Sequence, residues 1–171
     1  WPQKDILLNL TPALKEGLIL SSNGHFTFIH DRIQEAGYAL IPKSELPQTH
    51  LKIGRLLQAN TAAEGLEEEI FAIIGQLNVG RALIETDSDK IDLAAMNLNA
   101  GQKAKAATAF SDAKKYIDIG LDLLGADSWQ KHYDLTLSLH NENGHLAALI
   151  GQFEQIPIMA NLIQAHAKDF L

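Results

Sequence analysis

The chain has 171 residues, 46% of them hydrophobic and 20% charged, with a net charge of -7 and no Cys. Such a composition belongs to a folded chain long enough to bury a core, not to a disordered tail. The acidic balance opposes general binding to phosphate backbones, so nucleic acid is not an expected partner, and the missing Cys excludes disulfides, thiolate zinc sites and Cys nucleophiles.

From the N-terminus, Trp1-Pro2-Gln3-Lys4-Asp5 has no initiator Met and no signal-peptide layout, so the chain reads as a segment of a larger protein. Thr11-Pro12 predicts a helix start, because Thr can cap and Pro suits the first helical position. Gly17 predicts its end in the left-handed conformation. Residues 18–29 read as a β-hairpin: Leu18-Ile19-Leu20, an Asn23-Gly24 turn, then Phe26-Thr27-Phe28-Ile29. From His30 the pattern turns helical, with Ile33, Ala36, Gly37, Leu40 and Ile41 on one side, and Pro42 stops it.

Everything after Pro42 reads as helix. Ser44 is the expected cap of a helix with Pro47 in its first turn and Leu46, Leu51, Ile53, Leu56 and Leu57 on its apolar face. Thr61-Ala62-Ala63-Glu64 has the capping-box spacing and predicts the next helix, with Leu66, Ile70, Ile73, Ile74 and Leu77 inward and Gly80 as the stop. Asp87-Ser88-Asp89 predicts another, facing inward with Ile91, Ala94, Ala95 and Leu98. Its small residues Ala100, Gly101, Ala104, Ala106 and Ala107 predict close approach of a neighbouring helix.

Phe110, Ala113, Ile117, Leu121 and Leu124 mark a helix ending at Gly125. Asp127-Ser128 is read as the cap of a long helix from Trp129. Leu135, Leu137 and Leu139 alternate, but a lone strand among helices has no pairing partner, so helix is expected there. Asn141-Glu142-Asn143-Gly144 either interrupts this helix or forms a polar turn of it, and Gly151 breaks it. A last helix is expected from about Phe153 to Ala167, with Pro157 near its first turns. Ala107–Leu124 and Gly151–Ile163 look alike, which is compatible with tetratricopeptide-type repeats or with a generic stack of helical hairpins.

Several stretches carry a resemblance: Glu16-Gly17-Leu18-Ile19, the run Phe26-Thr27-Phe28-Ile29-His30-Asp31-Arg32-Ile33 continuing to Pro42, and His50–Leu57. Ala100–Ala104, Tyr116–Leu121 and Trp129–Tyr133 add to it. Together they resemble large bacterial sensor proteins. In these a serine/threonine-kinase-like domain is followed by a STAND-type AAA ATPase, a tetratricopeptide-like helical region, a GAF domain and a histidine kinase.

The resemblance implies a mainly α chain. Residues 1–42 would be the C-terminal part of a winged-helix subdomain with a β-hairpin. Residues 43–171 would be a tetratricopeptide-like domain, a right-handed stack of antiparallel helical hairpins. In STAND ATPases a Met-His-Asp motif places its His on the β-phosphate of ADP. The corresponding triplet here is Ile29-His30-Asp31, with Ile for Met, which makes His30 the candidate nucleotide-phosphate sensor of the parent protein.

The chain has no G-x-x-x-x-G-K-[ST] phosphate loop. ATP or ADP with Mg is therefore expected upstream in the parent, with no cofactor, metal or catalysis in this segment. The implied partners are the neighbouring ATPase and kinase domains of the same cytoplasmic chain, and a stand-alone tetratricopeptide-type protein-binding module is the alternative. Membrane insertion is not expected, because no apolar run approaches the roughly 18–20 residues a spanning helix needs. Ile6, Leu7, Leu8 and Leu10 are expected to expose apolar surface and so to permit self-association.

Other chemistry finds little support. His140 and His145, five residues apart, could form only a weak metal clip. Glu67-Glu68-Glu69 suits the positive end of a helix better than paired acid/base work. Arg32, Lys43 and His25 are too few basic residues for a DNA-reading wing.

Overall fold

The computed structural model describes residues 3–22, 25–62 and 65–168, mainly helical with one two-stranded antiparallel sheet. Its contacts divide the chain into two units, Trp1–Leu46 and Pro47–Leu171.

In the first unit, α1 spans Gln3–Lys15, so Thr11-Pro12 lies inside the helix and does not start it. The Thr11 hydroxyl donates to the Leu7 carbonyl at 2.7 Å instead of capping, a back-bond that competes with the N-cap role. Gly17 ends the helix as expected, at φ 66, with the Leu18 N–H reaching the Ala13 carbonyl at 2.9 Å. Strands β1 (Ile19–Ser22) and β2 (His25–Phe28) pair Ile19 with Phe28 and Ser22 with His25. The Asn23-Gly24 turn lies outside the described residues, but this register leaves only those two residues between the strands. Helix α2 follows at Asp31–Ala39, one residue after His30 and short of Pro42.

The second unit begins with α3 (Leu46–Asn60), with Pro47 in its first turn. The expected capping box at Thr61 does not open the next helix, and Ala63 and Glu64 lie outside the described residues. Thr61 and Asn60 instead close α3, donating side-chain hydrogen bonds to the Leu57 and Leu56 carbonyls. Helix α4 (Leu66–Val79) starts from Gly65 without a side-chain cap and stops at Gly80.

After a 3-10 turn at Arg81–Leu83 comes α5 (Asp87–Ala106), whose cap is Thr86, its hydroxyl accepting from the Asp89 N–H at 3.1 Å. The inward face of α5 is Leu93, Ala94, Asn97, Ala100, Gly101 and Ala104, rotated from the expected one. Ala95 is exposed, and Asn97 is fully buried because its amide exchanges two hydrogen bonds with that of Asn78, at 2.8 and 2.9 Å.

Helix α6 (Phe110–Asp122) packs on α5. The long helix expected from Trp129 is two. A single turn, α7 (Ser128–Lys131), breaks at His132 (φ -134, ψ 47), and α8 then runs unbroken over Tyr133–Leu149. Asp127 makes no cap hydrogen bond, because its carboxylate is bound to the Lys131 ammonium. Residues 141–144 are a turn of α8, with Asn143 buried. Helix α9 (Gln155–His166) closes the described chain, with Pro157 in its first turn.

The helices pack in chain order, α4 on α5, α5 on α6, α6 on α8 and α8 on α9, with α5 also touching α8. One core runs through them, and Ile73, Ile74, Ala94, Ile117, Leu139 and Leu146 have no exposed surface. The two helical hairpins, α5–α6 and α8–α9, turn identically. A residue with positive φ follows the first helix (Thr108 at 61, Gly151 at 79). The next N–H then reaches back five residues, Ala109 to the Ala104 carbonyl and Gln152 to that of Ala147.

Candidate functional site

His30 occupies the junction between β2 and α2. Its backbone is extended (φ -153, ψ 140), and its ring Nδ1 accepts the Arg32 N–H at 3.2 Å, capping the helix. A nitrogen that accepts carries no proton, so in the neutral ring the N–H is on Nε2, directed away from the cap. The residue is exposed, and Asp31 beside it sits in the first turn, where the helix dipole favours a carboxylate. His30 thus combines a local cap with one outward donor.

The first unit exposes several large apolar side chains. Ile19 is the buried hydrophobic side chain of the first unit, 5% exposed, among its described residues. Leu8 (71%), Leu20 (60%) and Leu40 (84%) are largely exposed, together with Leu7, Phe28 and Ile29. Helix α2 touches β2 but buries no residue, so the inward face expected for it is not enclosed. Of the apolar cluster expected near the N-terminus, Leu7 and Leu8 are exposed and Leu10 is half-buried, while the Ile6 side chain lies outside the description.

The second unit contains a ring cluster that sequence reasoning missed. Trp129 stacks in parallel on two imidazoles, His140 at 5.2 Å and His166 at 4.7 Å between centroids, and meets Tyr133 at a tilt. This ties α7, α8 and α9 together. His140 Nδ1 is buried without a hydrogen-bond partner. Burial first, and the charge of His166 second, hold His140 below its ordinary value of 6.5. Spacing gave no signal of it, because on one continuous helix positions 129 and 140 would lie about three turns apart.

His140 and His145 do not come together: His140 is in the stack and His145 is exposed. No group of three His, Asp or Glu suited to a metal forms among the described residues. His50 bonds Gln76 across α3 and α4 at 2.6 Å. Glu67 is tied to Lys103 of α5, through its carbonyl at 2.7 Å and its carboxylate at 3.7 Å.

A cleft of about 650 Å³ lies beside Ile84, Ile91 and Leu124. Two of its cations are matched by carboxylates of the same cleft, Lys131 by Asp127 and Lys90 by Asp87 at 3.9 Å, while Arg81 donates to the Asn78 carbonyl at 2.9 Å. The Lys131 hydrogen bond holds the Asp127 carboxyl below its usual range, and Asp127 in turn raises the Lys131 ammonium. None of the described helices is long and apolar enough to cross a membrane.

No family model and no solved structure matches the chain. The chain is 30% identical over 169 residues to hybrid signal transduction histidine kinase G of Dictyostelium discoideum, an alignment that takes in 84% of the chain. The chain spans about 5% of that protein's length.

Proposed function

We propose that the chain is a non-catalytic regulatory segment of a large signal-transduction histidine kinase. Its first unit would be a winged-helix remnant that receives the nucleotide state of an upstream STAND-type ATPase. Its second would be a tetratricopeptide-like stack that passes this state to GAF and kinase domains in the cytoplasm. The similarity to a segment of a hybrid histidine kinase supports the signalling context. The order α1, hairpin, α2 supports the winged-helix reading, and the two equivalent hairpin turns support the repeat reading.

The observation that carries the reading is how little apolar surface the first unit buries among its described residues. A unit of this size, with Ile19 as its buried hydrophobic among the described residues, cannot offset its conformational entropy alone. Its exposed leucines and phenylalanines therefore mark a docking face for a neighbouring domain. ATP or ADP, with Mg, would belong to that domain, and the outward Nε2–H of His30 would donate to a phosphate oxygen there.

The test is made in the full-length kinase. His30→Ala removes both cap and donor, whereas His30→Asp keeps a good cap and sets a negative charge against the phosphate. Both variants are expected to raise basal autophosphorylation. Unchanged output in both removes the sensing role, and a rise with His30→Ala alone reduces His30 to a cap.

A further inference from the structure

Helix α9 is attached by unusual means. Gln155–His166 contains no Asp, Glu, Lys or Arg, so no Lys–carboxylate pair can tie it down, and none of its residues is buried. It packs on α8 with Ile156, Met159, Leu162 and Ile163 half-buried. Its C-terminal end is held by rings. His166 stacks on Trp129, and the backbone then turns extended at Ala167 (φ -60, ψ 129). The Lys168 N–H donates to the Tyr133 hydroxyl at 3.2 Å, and its ammonium lies 4.3 Å from the Tyr133 ring centre.

The two imidazoles on Trp129 answer differently to a proton. His166 Nδ1 lies 3.0 Å from the Leu162 carbonyl. A carbonyl only accepts, so this nitrogen carries the proton, and Nε2 can take a second one without breaking the bond. His166 also sits in the last turn of α9, where the helix dipole favours a cation. His140 is the opposite case. Its Nδ1 is buried without a hydrogen-bond partner. A neutral ring can leave that nitrogen bare, but an imidazolium carries N–H on both nitrogens, so charging His140 in place buries a donor with no acceptor. It also sets a second cation against the indole that His166 already faces.

No carboxylate relieves this. The charge that acts on His140 is that of His166, and it adds to burial in holding the ring below its ordinary value of 6.5. Around the cluster, Lys131 of α7 is bound to Asp127, on which the charge of His132 also acts. Lys105 of α5 is bound to Glu142 of α8, and Lys114 of α6 to Asp118. Asp134 and His145 of α8 and Glu154 before α9 are exposed.

We propose that the Trp129 stack is an acid-sensitive latch, closed on α9 while His140 is neutral and opened, with α9 leaving α8, when His140 takes up a proton. Once α9 has left, the imidazole reaches water and both of its N–H groups find acceptors. The open form therefore binds more protons. Docking is at full strength above the ordinary histidine range and is lost as pH falls through it. The core from Leu51 to Leu146 contains no residue of α9, so the helix can leave without opening that core. The latch does not depend on the nucleotide-sensing reading of His30.

Hydrogen exchange of the 171-residue chain reads the latch. From about pH 7.5 to about pH 5.5, α9 protection, corrected for the intrinsic pH dependence of exchange, is expected to fall at least several-fold. Over the same interval the His140 ring should titrate in NMR spectra, below its ordinary value, which needs no variant. Urea below the unfolding transition should change α9 protection far less than that of α4 and α5, because a local opening exposes little surface. His140→Phe keeps a ring against Trp129 and cannot take a proton, so α9 protection in it should stay level with pH. Constant α9 protection in the unmodified chain overturns the proposal. So does a fall of the same size in His140→Phe, or α9 exchange that follows urea as steeply as α4 and α5, since α9 would then open only with the whole unit.

Discussion

Thr108 sits at φ 61, where its branched Cβ crowds the backbone, yet it performs the same turn as Gly17 and Gly151. The conformation is imposed by the hairpin, because the Ala109 N–H must reach the Ala104 carbonyl for α6 to fold back on α5. Thr108 is exposed, so removing its side chain sacrifices little packing. Thr108→Gly is therefore expected to stabilise the chain by about 1 kcal/mol, read as a higher urea midpoint at unchanged slope. At the Trp129 stack the residue-scale effect is protonation. His140 is held below 6.5, so between its lowered value and 6.5 the unfolded chain binds more protons than the folded one. Stability thus rises with pH through this window and is lost as pH falls through it. The urea midpoint should drop on mild acidification, and His140→Phe, which keeps a ring against Trp129 without a titrating group, should flatten that dependence.

At the scale of elements, two glycines of α4 show how packing overrides propensity. Gly75 is exposed in the helix interior with open space around its missing side chain. Gly80 ends the helix, and a Cβ there would lie 2.6 Å from both Leu51 Cβ and the Pro47 carbonyl oxygen. Backbone atoms of α3 cannot yield as a flexible side chain can. Gly75→Ala should stabilise by about 0.5–1 kcal/mol through lost chain entropy. Gly80→Ala should destabilise by roughly 1–3 kcal/mol through overpacking. Thermal unfolding of the two single variants should shift in opposite directions. In α5 the close approach is to a side chain: a Cβ on Gly101 would sit 2.7 Å from Ile117 Cδ1 of α6 and 3.3 Å from the Ala113 carbonyl oxygen.

At the scale of the molecule, the two units differ in what holds them. The second unit has a continuous core from Leu51 to Leu146, with a buried amide pair fixing α4 against α5. The first has Ile19 as its buried hydrophobic among the described residues. Local stability follows buried apolar contact, so hydrogen exchange should be far faster in α2 than in α4, α5 and α8. Comparable protection in α2 would show that its exposed face is covered in solution.

Local features were legible because local physics fixes them. Periodicity gave the helices, Asn23-Gly24 and the flanking β-formers gave the hairpin, and Gly17, Gly80 and Gly151 gave the ends. The small residues Ala100, Gly101 and Ala104 predicted a close helix contact, because only small side chains let two axes approach. Some features depend on groups distant in sequence and were decided only in three dimensions. A polar Asn97 became core once Asn78 satisfied it, and Thr61 closed α3 instead of opening α4. Trp129 gathered His140 and His166 from two other helices, a meeting that no local spacing specifies. The chain by itself determined which segments are helical and which faces are apolar, since these follow from each residue's own conformational and solvation preferences. Tertiary structure alone decided which of those faces find a partner and which, on α2 and α9, remain open, because burial belongs to pairs of elements.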